Sequence, residues 1–540
     1  MRVTNQMMTT NMLNNINRNK NNVNTLGYQY ATQQKIQKPS DDPVVAVRSL
    51  KFRTQITELT QYLEKNIPDA TNWMDTTESA MDSITEVLEK MNTYCNQGAN
   101  DTLETTDRST IIETLEEYKS QIYKEANSDY AGRYLFTGYR TDTPLLYDNT
   151  SLAKETSTKT VYTIKEELSF SDITSKTYVK GGAKYTDGTT TADGYAAKAA
   201  STSTANRLQL SYTNLDKDQS RTDVAGPATP GTVTRDTGIR SITFTNPSNP
   251  ADTVTVAGDG TAATGGYTIK TVSLSTQPQG ECYNPTAKEI IFIPETGELV
   301  FGSEAYAMAQ TRSNYTAEYT KTNFEADDII PEHYFECSAS RIVVDASQST
   351  GYNEDKTNYR NPETQKINYE INFSQKLTVN TLAKDAVPTT ISTKIDEIIR
   401  AVNDVYNMDD KISEVQKLIA TQTDATKITD LTELKSQLET EKTLKKTILR
   451  ENFSSGLTMT KNAQNTVSIA LANHGSRYQR LELTESRLKD QKTSFTELLD
   501  KNDQVELEDS VINYKQAQVV YDASLSCAST VITKTLLDYL

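Results

Sequence analysis

The stretch that most constrains this chain is a helical stripe near its C-terminus. Val511, Gln518, Leu525 and Ile532 step by seven, and Tyr514, Tyr521, Ala528 and Thr535 step by seven between them. Two such series, offset by three, are the seam of a helix that packs along another helix. The stripe continues through Leu536, Leu537 and Leu540. An apolar seam of this length needs a cover, from another part of the chain or from another molecule.

The opposite end offers one. Met12, Ile16, Val23, Leu26 and Tyr30 mark a second helical stripe, diluted by Asn, a poor helix former. Such a segment is expected to be disordered alone and helical once packed. Residues 1–38 carry five basic residues and no acidic one, whereas 500–540 carry seven acidic and three basic ones. The two ends are therefore expected to pair, basic against acidic; unrelated solvated faces are the alternative reading.

Between them, Ser40-Asp41-Asp42-Pro43 reads as a helix start, with Asp42 as N-cap and Pro43 as first helical residue. Heptads follow at Ile56, Leu63, Ala70, Thr77, Ile84 and Met91, and at Ile67, Met74, Met81, Leu88 and Cys95. Pro68 is expected to kink this helix near Asn66, and Asn96-Gln97-Gly98 to end it. A further helix spans roughly Asp107 to Asn127. Tyr130 to Gly138 then reads as a short aromatic strand bracketed by glycines.

Over 151–390 the helical period vanishes and Thr, Ser, Gly and Tyr dominate. Alternating runs at 241–245, 253–256, 267–270 and 341–344 read as strands. The clearest hairpin joins 289–293 to 298–301, and another pair covers 367–372 and 376–380. A polar, Gly-rich insert at about 181–285 reads as an outer part of this region. Helical spacing returns at Ile391 and runs, with a short break, through Phe495; Lys501-Asn502-Asp503 reads as a polar link before the last helix.

The expected fold is α+β and multidomain: an antiparallel coiled-coil helical rod built from both chain ends, with one or two β-rich domains inserted. The divisions are 1–40 (N-terminal assembly helix), 41–150 and 391–500 (the two halves of the rod), 151–390 (the β-rich region) and 501–540 (C-terminal assembly helix).

The chemistry points the same way. A formal charge of −16 argues against nucleic acid as the main partner. No run of about 18 apolar residues is present, so no membrane span is expected, and the N-terminus lacks the apolar core of a cleaved secretory signal. Cys95, Cys282, Cys337 and Cys527 are too dispersed for a metal or redox motif and read as small buried hydrophobes. Of the two histidines, His474 lies on the helical stripe and reads as a packed residue, while His333 has no partner at metal spacing. No catalytic or nucleotide-binding motif appears, so neither an enzyme nor a cofactor is expected.

Three stretches resemble the flagellin superfamily, and within it the family of type 3 hook-associated proteins. They are Lys38-Pro39-Ser40-Asp41-Asp42-Pro43; Gly132-Arg133-Tyr134-Leu135-Phe136-Thr137-Gly138 with Pro144; and Ser526 to Leu540. His474-Gly475-Ser476-Arg477 stands where the superfamily tends to have a glycine-x-arginine entry to its C-terminal helix. The resemblance covers about 1–147 and 455–540 well and the hairpin near 289–302 loosely; 181–285 and 409–450 depart from the family's short form. It implies a structural junction subunit of the bacterial flagellum, lying between a hook-side junction protein and flagellin and self-associating into a ring. It also implies an extracellular location reached through the type III export apparatus, with an export chaperone as a further partner and without a cleaved signal peptide. The terminal helices, marked by Met12, Ile16, Val23, Leu26, Val511, Tyr514, Gln518, Tyr521, Leu525, Ala528, Ile532, Leu536 and Leu540, would form the assembly interface. A flagellin filament subunit is the alternative; Pro43 and the final Asp538-Tyr539-Leu540 speak against it.

Overall fold

A computed structural model describes residues 5–100, 103, 105–148, 158–182, 184–185, 195–196, 199–217, 221–224, 232–235, 238–274, 279–343, 352–360 and 362–531. Ile532, Thr535, Leu536, Leu537 and Leu540 of the C-terminal stripe lie outside them, as do the Asp187-Gly188 and Asp193-Gly194 turns. The protein is α+β and forms two compact units. One gathers 1–71, 369–377 and 478–540; the other gathers 72–368 and 378–477.

In the first unit, α1 (Asn5–Thr32) and α2 (Pro43–Gln61) are joined by a link whose end is set by the expected cap. Asp42 Oδ1 accepts from the Val44 and Val45 amides at 2.9 and 3.2 Å. Asp41 closes the preceding turn by accepting from the Gln37 and Lys38 amides. After α2 comes a π-helical turn, Tyr62–Asn66, and then α3 (Ile67–Gly98). The expected kink is thus a one-turn widening ahead of Pro68, whose missing N–H cannot bond back into the preceding turn. A hairpin of Asn368–Asn372 and Gln375–Thr378 sits beside this turn: Asn66 donates to the Glu370 carbonyl and Tyr62 packs edge-on against Phe373.

In the second unit, α3 packs against a long helix. The remaining helices in chain order are α4 (Thr105–Ala126), α5 (Ser303–Thr311), α6 (Thr390–Thr421), α7 (Ala425–Asp503) and, belonging to the first unit, α8 (Leu507–Val531). The polar link expected at 501–503 is therefore the last turn of α7, and the break falls at 504–506. Asn92 donates to Thr460 Oγ1 at 2.6 Å, and Gly98 leaves the space that the buried Phe453 ring fills. A Cβ on Gly456 would lie 2.9 Å from Ile398 Cδ1 and 3.1 Å from Cys95 Sγ, so glycine here lets α3, α6 and α7 meet. Partners ascend along α3 as they descend along α7, so these two run antiparallel. The fully buried Met74, Met81, Leu88, Met91 and Cys95 are the expected heptad positions.

The stretch read as one aromatic strand is instead a minute hairpin, Asp129–Tyr130 with Arg133–Tyr134. Ala131 and Gly132 turn it with φ of 53° and 76°. Leu135 and Phe136 then enter the core.

Among the described residues eleven strands, again in chain order, build two sheets: β1 (Thr158–Ser169), β2 (Ile173–Gly181), β3 (Ala200–Gln209), β4 (Ile239–Asn246), β5 (Asn249–Ala257), β6 (Thr268–Thr271), β7 (Glu289–Ile293), β8 (Glu298–Phe301), β9 (Asn314–Lys321), β10 (Glu336–Val343) and β11 (Tyr352–Tyr359). The first sheet is antiparallel, in the order β5-β4-β9-β1-β10-β11. The second runs β6-β7-β8-β3-β2, parallel only between β6 and β7. Phe244 of the first touches Phe301 of the second with ring centres 6.3 Å apart. The stretch 181–285 does not stand apart: β3 lies inside one sheet and β4 inside the other. Cys95, Cys282 and Cys337 are buried as expected; Cys527 is exposed.

Candidate assembly interface

The two terminal helices meet. Tyr30 and Tyr514 stack with centres 5.8 Å apart and planes 8° from parallel. A Cβ on Gly27 would lie 3.1 Å from the Tyr514 ring, so this glycine admits the stack. Asn19, Asn22 and Leu26 of α1 and Asn513, Gln516, Ala517 and Val520 of α8 line a groove between the helices.

The links that lead into these helices are clasped by main chain. Gln34 and Gln504 form an antiparallel bridge. Lys35 N–H donates to the Asp503 carbonyl at 2.8 Å, and Val505 N–H to the Gln33 carbonyl at 2.9 Å. Next to the clasp, Asp503 accepts from Ser49 Oγ at 2.8 Å and from Arg53 at 3.0 Å. These partners hold its carboxyl below the usual range despite the desolvation that opposes them.

The expectation of basic-against-acidic pairing is corrected. Among the described residues no ion pair joins α1 to α8. Lys35 Nζ donates to the Lys501 carbonyl instead, at 2.7 Å. Ring stacking, close packing at glycine and main-chain hydrogen bonds make the junction.

The stripe residues divide by exposure. Met12, Ile16, Val23 and Leu26 of α1 are half-buried, as are Tyr514, Gln518 and Tyr521 of α8, and Ala528 is buried. Val511 and Leu525 are exposed, at 36% and 43%. The covered side of α8 uses Ser510, Ala517 and Ser524, one residue ahead of the series Val511, Gln518 and Leu525. Small residues let the helix sit close, and the large aliphatic ones are left outside. Leu507, Ile512, Val519 and Val520 are 51–67% exposed, and Met7 and Leu13 of α1 are 54% and 50% exposed. In the helix-start motif Ser40, Asp41 and Pro43 are exposed and Asp42 is half-buried.

No helix among the described residues is long and apolar enough to cross a membrane. No group of three or more His, Cys, Asp or Glu there could hold a metal ion.

Comparison with known proteins first gives a class. Residues 3–141 match the family model for the bacterial flagellin N-terminal helical region. The resemblance to the flagellin superfamily read from the sequence is therefore present over this part of the chain. Among individual relatives, flagellar hook-associated protein 3 of Salmonella typhimurium is 29% identical over 144 residues, 26% of this chain and 45% of that protein. Flagellin of Clostridium tyrobutyricum is 31% identical over 126 residues, 23% of this chain and 33% of that protein. The matches thus span less than half the length of these relatives. A solved structure of flagellar hook-associated protein 3 from Legionella pneumophila is 12% identical, covering 83% of this chain and 97% of that one, with a TM-score of 0.28.

Proposed function

We propose that this chain is a structural subunit of the bacterial flagellum that joins the hook side to the flagellin filament. The observation that carries this reading is the uncovered apolar side of the paired terminal helices, above all Ile512, Val519 and Val520, 51%, 67% and 53% exposed. Covering one such side chain contributes about 1.5–3 kcal/mol. A neighbouring subunit covering several would offset the cost of ordering two Asn-rich helices.

In this reading the subunits close into a ring between a hook-side junction protein and flagellin. The interface comprises Met12, Ile16, Val23, Leu26, Val511, Tyr514, Gln518, Tyr521, Leu525 and Ala528, continued by Ile532, Leu536 and Leu540. Ser40 to Pro43 set the start of the next helix. The helices form an antiparallel coiled-coil rod on which the β region is carried as an insertion. The subunit reaches the cell exterior through the type III export apparatus, aided by a chaperone and without a cleaved signal, and has no catalytic role. The match to a hook-associated protein 3 supports the junction position; the flagellin match supports the alternative of a filament subunit.

The test is a deletion strain complemented with the wild-type chain or with Ile512→Asp/Val519→Asp. Loss of the chain should leave hooks without filaments and flagellin shed into the medium, and the double variant should behave like the deletion while keeping its far-UV circular dichroism. Full-length filaments on the deletion strain would sink the proposal. Absence of flagellin both on the cell and in the medium would favour the filament-subunit reading.

A further inference from the structure

Two exposed faces of the first unit are complementary, and they lie on different helices. On α2, Val44, Val47 and Leu50 recur every third residue and are 53–63% exposed. Arg48 and Lys51 share that side of the helix and are exposed too. The inward side of α2 is taken by Ala46, Ser49 and Leu59. On α8, the exposed Leu507, Val511 and Ile512 form the second face, and the exposed Glu506, Glu508 and Asp509 surround its first residue. One face is apolar and cationic; the other is apolar and anionic. Among the described residues no ion pair or side-chain hydrogen bond engages Arg48, Lys51, Glu506, Glu508 or Asp509.

A single aliphatic side chain in water calls for no partner. Three in one patch, rimmed by unpaired charges of one sign, have the make-up of an interface. The rise of a helix makes both patches about 8–9 Å long. An antiparallel alignment with Val44 opposite Ile512 brings Arg48 opposite Glu508 and Leu50 beside Leu507. Both patches face solvent, so neither covers the other within the chain.

We propose that α2 of one copy of this chain docks on the start of α8 of the next copy, with Val44, Val47 and Leu50 against Leu507, Val511 and Ile512 and with Arg48 paired to Glu508. The two faces differ, so each copy offers one to the copy before it and the other to the copy after it. Contacts of that kind build a closed ring or a helical row. The proposal rests on the reading of the chain as a self-associating subunit and names what covers the Ile512 side. The deletion strain judges the junction role and the purified chain judges this contact, so either can fail without the other.

The experiment follows self-association of the purified full-length chain by sedimentation velocity, up to millimolar concentration and at low and high salt. The wild-type chain should associate, and more weakly at high salt, which screens the rim charges. Arg48→Glu alone and Glu508→Arg alone should each weaken association by about tenfold or more, because like charges then face each other. Mixing the two single variants should restore it, since every junction in an alternating row again pairs opposite charges. The double variant should restore it as well. Val47→Asp should abolish association at either salt concentration. All four substitutions are at exposed positions, and far-UV circular dichroism should stay as in the wild type. A wild-type chain that remains monomeric throughout overturns the proposal. Single reversals that change nothing, or that neither mixing nor the double variant rescues, overturn it equally.

Discussion

Arg207 is the residue on which the second unit's ionic interior turns. It donates to Glu298 of β8 and, at 2.7 Å, to Glu397 of α6, tying sheet to helix. Burial alone would raise the Glu298 carboxyl; Lys176 and Arg207 override it and hold it at about 2. Arg207→Met would leave two carboxylates buried with too little opposite charge, and breaking such a pair costs about 3–5 kcal/mol. Urea denaturation should show that loss as a lower midpoint with an unchanged slope. Nothing in the sequence announced this cluster. Arg207 falls in a polar Thr- and Ser-rich run, Glu298 opens an apolar strand, and Glu397 lies far along the chain; only the fold brings them together. His474, in contrast, was legible, because its place on a helical stripe foretold burial, and it is 0% exposed. Burial, helped by the neighbouring Arg477 charge and opposed by the Met74 main chain and Asp75, lowers its pKa from 6.5 to about 4. His333 is lowered to about 4 as well, again chiefly by burial. The unfolded chain therefore takes up protons first as pH falls. The stability due to neutral histidine is complete above pH 6.5 and drains away toward pH 4. Thermal unfolding between pH 7.5 and 4.5 should fall in midpoint across that window, and His474→Gln should flatten the fall.

At the scale of elements, helices were read better than strands, for a physical reason. A heptad is local: Met74, Met81, Leu88 and Cys95 declare their shared face without knowledge of the partner. So does a cap, and Asp42 behaves as its position before Pro43 requires. Strand identity was also local, and the hairpin of β7 and β8 appears where its turn residues placed it. Strand order is not local. Nothing in 181–285 reveals that β3 will lie between β8 and β2, or β4 between β5 and β9. That stretch looked like a separate outer piece because its surface is polar, yet Ile242, Phe244 and Leu208 are fully buried. Deleting 181–285 should therefore cost the protein both sheets. Near-UV circular dichroism should lose its tertiary signal and limited proteolysis should cut within 158–359. A deletion variant that keeps both signals would contradict the observed strand order. The covered seam of α8 is a subtler case. Apolar size pointed to Val511 and Leu525, but close approach selected Ser510, Ala517 and Ser524, which a reading by hydrophobicity passes over.

The whole molecule is assembled from segments that lie far apart in the chain. The first compact unit draws on three stretches, 1–71, 369–377 and 478–540, so it cannot be cut out as one continuous fragment, whereas the second is interrupted only at 369–377. The clasp of 33–35 with 503–505 carries this furthest. Without the stretch from residue 503 onward α1 lacks the partner seen here, and its weak, Asn-rich stripe has little reason to coil. The clasp closes a loop of nearly five hundred residues. Because the cost of closing so long a loop grows only slowly with its length, inserting or removing residues in the middle of the chain would change the cost of this clasp little.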